Sequence, residues 1–360
     1  MLDEEMTRGK RGIERMIESI KKNLKPKILI SNLILIIGIV IFVTLYGAAF
    51  GGNNSLIGVC AITAMLMFVD VHLSLKLNEA IITTVLSFVL MGVSSQIASI
   101  NPFLGFVINF ISIFVVSYLV TNVTETKAYL PFILCYVFVE GTPITWSELP
   151  RRLIALFVGG ALISLVYYFS HRKKDDSDHM NISEMIKTMN KDTLQFNFSL
   201  RMALAVSIAM LLGSIFGFQK SMWISITAMS ITQPHFDDTK TRVKERFFGT
   251  LIGAAIFLLI FVYLVPQQFS SIVLLILSYI YTFIKEYKIK MVFITMSSLG
   301  AAMILFQPGV SVPMRIAFIV VGIVIALIVN KVIYGRLKLE ESNEELDETI
   351  KDIDKVNDEF

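Results

Sequence analysis

Long apolar segments recur along almost the whole chain, and their length limits what it can fold into. A helix that crosses the hydrocarbon core of a bilayer needs about 20 apolar residues. Lipid offers the backbone no hydrogen bonds, so helices are the expected form of these segments. Six precede and six follow a polar linker: 28–46, 55–71, 79–97, 102–121, 127–141, 150–169, 199–217, 221–234, 247–265, 269–284, 289–306 and 313–334. The sequence predicts an all-α integral membrane protein with about twelve transmembrane helices, or ten if the short fifth and eighth segments do not cross.

The composition agrees with a membrane protein and excludes several other classes. Hydrophobic residues make up 55% of the 360 residues and charged residues 17%, against about 25% charged in a soluble domain. The net charge of +3 is too small to indicate a nucleic-acid partner. Cys60 and Cys135 lie in apolar segments without metal-ligand spacing, and the four histidines are scattered. There is no P-loop, HExxH or serine-elbow motif, so we expect no enzyme, no cofactor and no metal.

Lysine and arginine predict the orientation. They concentrate in the connections that become cytoplasmic if the N-terminus is cytoplasmic, whereas the outer connections 47–54, 94–101 and 266–270 contain none. We therefore expect a multi-pass protein of the cell (inner) membrane with both termini in the cytoplasm. Residues 1–27 predict a basic amphipathic helix on the lipid surface, and residues 337–360 an acidic solvated helix that can support a homo-oligomer.

The chain also reads as a tandem duplication. A first transmembrane repeat at 28–170 and a second at 198–336 flank the cytoplasmic linker 171–197. The Pro150-Arg151-Arg152 step recurs as Pro313-Met314-Arg315, shifted by 163 residues. An even number of spans in each half makes the repeats parallel, and repeated halves with a site between them are typical of transporters.

One charge-dense stretch carries a family resemblance. It reads Trp223-Ile224-Ser225-Ile226-Thr227-Ala228, then Gln233-Pro234, Asp237, Thr239, Arg242, Arg246, Gly249-Thr250 and Gly253-Ala254. This pattern resembles the fusaric acid resistance protein-like family, which includes the aromatic acid exporters and is related to plant aluminium-activated malate transporters. The resemblance implies an inner-membrane protein, often an efflux component for aromatic carboxylic acids or other organic anions. Many members carry a large cytoplasmic region where this chain has only a short linker.

Physical reasoning selects candidate substrate-binding residues in the same stretch. Arg242 and Arg246 are one helical turn apart, and the planar guanidinium fork suits a carboxylate. The alternative is that they are ordinary topological anchors paired with Asp237 and Glu245. Trp223 is either an aromatic wall for a planar substrate or an interfacial anchor. Arg315 is either part of an outer anion-attracting pair with Arg152 or a side chain that reaches the headgroups.

Three carboxylates are candidates for proton coupling: Glu140, Asp70 and Glu245. A carboxylate in a partly dehydrated site can carry a proton, which would suit proton-coupled antiport. The alternative is that these groups sit at headgroup level in water. Asp237 is counted with the substrate-binding residues because it follows the Pro234 break.

The leading interpretation is a membrane transporter that exports small organic anions such as aromatic carboxylic acids. The expected partners are that anion and the lipid bilayer. One alternative is an anion channel of malate-transporter type, which needs a basic path and no proton-carrying carboxylate. A second is a non-transporting membrane scaffold organised around the basic and acidic termini.

Overall fold

The computed structural model describes residues 26–358, except 74, 122–125, 175–178, 192 and 304–305. At 236–237 and beyond 333 only the backbone is described. The predicted basic surface helix therefore lies almost wholly outside the described residues. The acidic tail is helical in its backbone through Asp358.

The described residues form thirteen α-helices. They are α1 (Pro26–Phe50), α2 (Ser55–Met67), α3 (Leu77–Ala98), α4 (Pro102–Val120), α5 (Leu130–Glu140), α6 (Leu149–His171), α7 (Ile182–Lys187), α8 (Leu194–Ile215), α9 (Met222–Ile231), α10 (Phe236–Leu258), α11 (Ser270–Tyr281), α12 (Tyr287–Ala302) and α13 (Pro308–Asp358). A π-helical turn, Leu259–Leu264, continues α10.

Seven of the described helices are long and apolar enough to cross a membrane. They are Pro26–Phe50, Leu77–Ala98, Pro102–Val120, Trp146–His171, Leu194–Ile215, Asp238–Leu264 and Pro308–Ile333. This confirms an all-helical membrane protein. Each predicted apolar segment contains a helix, but several are short: α5 has 11 residues and rises about 16 Å, against a hydrocarbon core of about 30 Å. The count of twelve or ten spans and the two-repeat plan stay predictions.

Sequence-local signals explain several helix starts. Asn101 caps α4, its side-chain oxygen accepting from the Phe103 amide at 2.9 Å, and Pro102 follows at the first helical position. Thr193 caps α8 in the same way through the Phe196 amide. Asn181 and Glu184 form a reciprocal capping box at the start of α7.

The chain divides into two compact units whose boundaries differ from those of the predicted repeats. The larger unit comprises Leu45–Lys244 and Ala317–Phe360. Its core includes three fully buried rings, Phe68, Phe88 and Phe132, with centroids of successive rings 5.7–5.9 Å apart. These rings join the end of α2 to α3 and α5.

The linker is attached to the larger unit by specific hydrogen bonds. Leu75 and Met180 form an isolated parallel bridge, in which the Lys76 amide donates to the Met180 carbonyl at 3.2 Å. Farther along, the Gln195 side-chain amide donates to the Tyr118 carbonyl at 2.7 Å. The linker is therefore docked at two separate places on the first half of the sequence.

The smaller unit comprises Met1–Thr44 and Glu245–Ile316. Within it, the small residues Gly249 and Gly253 of α10 face α12. A Cβ atom at Gly253 would lie 2.6 Å from the Val292 carbonyl oxygen, and one at Gly249 would lie 2.7 Å from the Met291 Cβ. Such contacts let helix backbones approach closely, which is the packing role that small residues four apart usually have in membranes.

Candidate functional site

A polar cavity of about 380 Å³ opens within the larger unit. It lies where α3, α5 and α8 end and where α6 and α9 begin. Helix ends leave backbone groups without partners inside the helix, so several ends together make a polar environment. The lining residues are Ser95, Gln96, Ala98, Ser99, Val139, Glu140, Gly141, Pro143, Ile144, Arg152, Gly213, Ser214, Gly217, Phe218, Gln219, Lys220 and Ser221.

Arg152 is the most buried charged group of this cavity, with 2% of its surface exposed. Nε donates to Asn54 Oδ1 at 3.0 Å and Nη1 to the Val139 carbonyl at 3.1 Å. Nη2 donates to the Asn53 carbonyl at 3.2 Å and to Thr142 Oγ1 at 3.3 Å. All four acceptors are neutral, so hydrogen bonds rather than an ion pair hold the guanidinium, and the exposed carboxylate of Glu148 also attracts its positive charge.

Lys220 supplies a second cation. The connection before it begins with a Schellman motif that ends α8, in which the Phe218 amide donates to the Gly213 carbonyl at 3.1 Å. Gly217 takes the left-handed conformation that this motif needs, with φ of 60°. Lys220 itself has φ of 61°, which is uncommon for a residue with a side chain. The tight turn places the Lys220 side chain in the cavity wall.

Glu140 is the last residue of α5 and lines the same cavity. It is half-buried, and no donor among the described side chains or amides hydrogen-bonds to its carboxylate. The remaining polar wall comes from serine hydroxyls and the amides of Gln96 and Gln219. Two cations, one carboxylate and a ring of neutral hydrogen-bonding groups suit a small, negatively charged, hydrophilic ligand.

The other residues selected from the sequence lie elsewhere. Arg246 and Arg315 both belong to the smaller unit and are 2% exposed. Arg246 Nη1 lies 3.1 Å from Met291 Sδ, and the two guanidiniums are close enough for their charges to repel. Their role as substrate ligands stays a prediction.

Arg242 is half-buried and belongs to the larger unit, whereas Arg246 belongs to the smaller unit. Trp223 of α9 is 3% exposed and does not line the cavity. Asp70 is exposed after α2, and Glu245 is half-buried on α10. The side chain of Asp237 lies outside the described residues. Of the three candidates for proton coupling, Glu140 alone lines the cavity.

Sequence reasoning missed Arg201, a fully buried residue of α8. Its guanidinium donates to the carbonyls of Gln233 at 3.0 Å and Pro234 at 2.6 Å, and to Asn330 Oδ1 at 2.9 Å. The proline break after α9 frees carbonyl groups that must find donors inside the protein. Arg201 supplies them, and the only sequence signal was an arginine inside an apolar segment.

Sequence reasoning also missed a histidine cluster in the larger unit. The His72 ring centroid lies 4.0 Å from that of His171 and 5.4 Å from that of His179. Burial lowers the pKa of His72 to about 4, helped by the positive charges that His171 and Lys174 would place beside it. In the described ranges no group of three ligating side chains is arranged to hold a metal ion. The cluster is therefore a packed set of imidazoles, in which His72 is neutral at neutral pH.

Comparison with known proteins gives a partial match. Residues 208–329 match the family model described as fusaric acid resistance protein-like, which confirms the resemblance drawn from the sequence. The inner membrane protein YccS of Escherichia coli (strain K12) is 29% identical over 108 residues, covering 29% of this chain and 15% of that protein. An uncharacterized protein of Haemophilus influenzae is 28% identical over 61 residues, which is 17% of this chain and 8% of that protein. No solved structure matches.

Proposed function

We propose that this chain, a membrane protein whose residues 208–329 form a fusaric acid resistance protein-like segment, transports small organic anions through the cavity beside Arg152. The observation that carries the proposal is the buried Arg152 guanidinium, which is held by four neutral acceptors in a cavity wall. Burying a charge is costly, and in a membrane protein a buried charge commonly marks a pathway. The family segment also points to a transporter rather than an enzyme.

The donors of the cavity fit a carboxylate. A guanidinium carries five N–H groups, and the four hydrogen bonds of Arg152 leave one on Nη1 together with the positive charge. Lys220 adds three ammonium donors. Charge-assisted hydrogen bonds of this kind are roughly twice as strong as neutral ones. The cavity therefore combines electrostatic attraction for an anion with donors that can bind its oxygens directly.

The size of the cavity supports a small ligand. At about 380 Å³ it lies at the lower end of the range of about 300–1,000 Å³ typical of small-molecule sites. Aromatic carboxylates and the outward direction come into the proposal from the family resemblance alone. The hydroxyl- and amide-rich wall accommodates hydroxylated anions equally well.

The arginines selected from the sequence enter the proposal as a second anion contact. Arg246 and Arg315 lie buried in the smaller unit with repelling charges, an arrangement that an anion would stabilise. We keep Arg242, Trp223 and Asp237 as proposed contributors to substrate binding on the family motif alone.

Transport in proteoliposomes tests the proposal. The purified chain is reconstituted with internal radiolabelled 4-hydroxybenzoate or malate, and efflux is compared with that of Arg152→Gln, Lys220→Gln and the neighbouring control Arg151→Gln. Arg151 is exposed and makes one 3.2 Å bond to the Ala49 carbonyl, so its loss removes equal charge outside the cavity. We expect both cavity variants to lose at least tenfold in rate and the control to keep wild-type flux.

Three other outcomes would change the proposal. Flux that follows an imposed voltage without saturating would indicate an anion channel. Flux that needs Arg246 and Arg315 but not Arg152 would move the site to the smaller unit. No flux of either anion by folded protein would refute transport of these anions and leave the scaffold interpretation.

A further inference from the structure

We infer that the ligand of the cavity is an acidic amino acid, whose acid groups bind Arg152 and Lys220 and whose ammonium group binds Glu140. This inference rests on the proposed function and names the class of organic anion that the same site takes. Such a ligand has two carboxylates and one ammonium group, so it is an anion that also presents a positive charge.

Three charged side chains surround one space. Arg152 of α6, Lys220 of the connection between α8 and α9, and Glu140 at the end of α5 all line the cavity. Among the described residues of its wall no other side chain is charged, and Glu148, whose carboxylate attracts Arg152, is exposed outside it. A simple mono- or dicarboxylate would use the two cations but would be repelled by Glu140. A ligand that also carries a cation makes use of all three groups.

The backbone segments that carry these groups touch one another around the carboxylate of Glu140. The Arg152 guanidinium donates to the Val139 carbonyl, one residue before this carboxylate, at 3.1 Å. Gly141, one residue after it, packs so closely on the start of α9 that a Cβ atom there would lie 2.8 Å from the Met222 Cβ. Met222 is in turn two residues after the cavity lysine. The backbone positions of the three charged residues are therefore fixed relative to one another.

All three groups keep the capacity to bind a ligand. Within the described part of the chain, the Glu140 carboxylate and the Lys220 ammonium make no hydrogen bond or ion pair. Arg152 uses four hydrogen bonds and keeps one N–H on Nη1. A half-buried carboxylate without a cation beside it is costly, and the ammonium group of the ligand supplies that cation.

Neutral groups of the wall add acceptors for the ammonium group, which has three donors. The Ser95 hydroxyl donates to the Gly92 carbonyl at 3.1 Å, and the Ser99 hydroxyl donates to the Gln96 carbonyl at 2.8 Å. Both serines line the cavity, and because their hydrogens are already used, their oxygens remain as acceptors. Together with the carboxylate of Glu140 they offer the acceptors that an ammonium group needs.

The wall offers little to an aromatic ligand. Phe218 is the one aromatic residue among the described residues that line the cavity. Its ring is already packed against Phe216 and Phe318, with centroids 5.3 and 5.2 Å away. The cavity therefore favours a hydrophilic ligand that is bound through its charges.

A matched pair of ligands tests the inference on the purified full-length chain. L-Glutamate and glutarate have the same carbon chain and the same two carboxylates, and differ in the ammonium group. Each is titrated calorimetrically at pH 8 into wild type, Glu140→Gln and the control Asp70→Asn, which removes an exposed carboxylate outside the cavity. We expect wild type and control to bind glutamate about tenfold more tightly than glutarate, the contribution of one charge-assisted hydrogen bond. Glu140→Gln should bind the two about equally, because the ammonium group loses its partner.

Equal affinities for glutamate and glutarate in the wild type, or a preference for glutamate that persists in Glu140→Gln, would overturn the inference and leave the proposed function intact. Malate is titrated in the same preparation, and a wild type that binds malate but neither of the other two would have the same consequence. No binding of any of the three by folded wild type would overturn the inference and count against the proposed function as well. N-acetylglutamate, which keeps both carboxylates and lacks the positive charge, repeats the comparison on wild type alone, so the decision does not depend on a variant that folds.

Discussion

Replacement of Arg152 by glutamine is the perturbation whose cost the structure lets us work out most fully. The guanidinium is 2% exposed and satisfies four acceptors in three separate segments, at residues 53–54, 139 and 142. A buried acceptor that loses its donor costs about 1–3 kcal/mol. The shorter glutamine amide and water in the cavity can replace about half of these bonds. Two acceptors left without donors then cost about 2–6 kcal/mol.

One opposing effect reduces this figure. The buried charge carries a desolvation penalty that glutamine does not, so part of the loss is recovered. We therefore expect Arg152→Gln to lower the free energy of unfolding by about 1–4 kcal/mol. Arg151→Gln, which gives up a single exposed bond at 3.2 Å, should change it by less than about 0.5 kcal/mol.

Denaturant titration of both variants in the same detergent, followed by circular dichroism, measures this difference. Positions 151 and 152 are neighbours in α6, so the two variants change helix propensity and net charge by the same amount. Equal stabilities for the two variants would show that the four hydrogen bonds do not hold the cavity wall in place. The argument that Arg152 is a fixed cation would then fail, whatever the transport assay gives.

Two further predictions concern stability. Gly253→Ala places a Cβ 2.6 Å from the Val292 carbonyl oxygen, where ordinary contact begins at 3.4 Å, so α10 and α12 must part by about 0.8 Å. We expect a loss of roughly 1–3 kcal/mol in the same titration, against none for Gly38→Ala, which meets nothing within 4 Å; equal effects would exclude tight packing at Gly253. Because the pKa of His72 is lowered from 6.5 to about 4, the unfolded chain binds more protons between these values, and stability should fall as the pH drops from 6.5 to 4. Partial exposure limits this contribution to about 1 kcal/mol, and His72→Gln should reduce the slope of stability against pH; an unchanged slope would assign it to other groups.

The sequence predicted the helices well because hydropathy is a local property. Each apolar segment contains a helix, and even the short fifth and eighth segments correspond to the short α5 and α9. What hydropathy does not fix is how far polar flanks extend a helix or how deeply it is placed. The number of crossings therefore stayed open.

The cavity was only partly predictable. A carboxylate at the edge of an apolar segment is conspicuous, so Glu140 was selected from the sequence. Arg152 was interpreted as one of a pair with Arg315, and Lys220 was not among the selected residues. Arg152 and Lys220 line one cavity with Glu140 because helix ends that are far apart in the sequence come together in the fold. No local sequence pattern encodes that arrangement. The same holds for three of the four histidines, which are scattered in the sequence and adjacent in space.

The docked linker has a practical consequence for anyone who wishes to label this protein. A polar stretch between two blocks of membrane helices is the usual choice for inserting an epitope or a fluorescent reporter. Tolerance of an insertion depends on the bonding of the backbone at that point. Here the Met180 carbonyl and the Gln195 side chain are both bonded to the first half of the sequence. A reporter inserted beside either residue would disrupt these hydrogen bonds and detach the linker. A reporter joined after the acidic tail leaves both attachments in place.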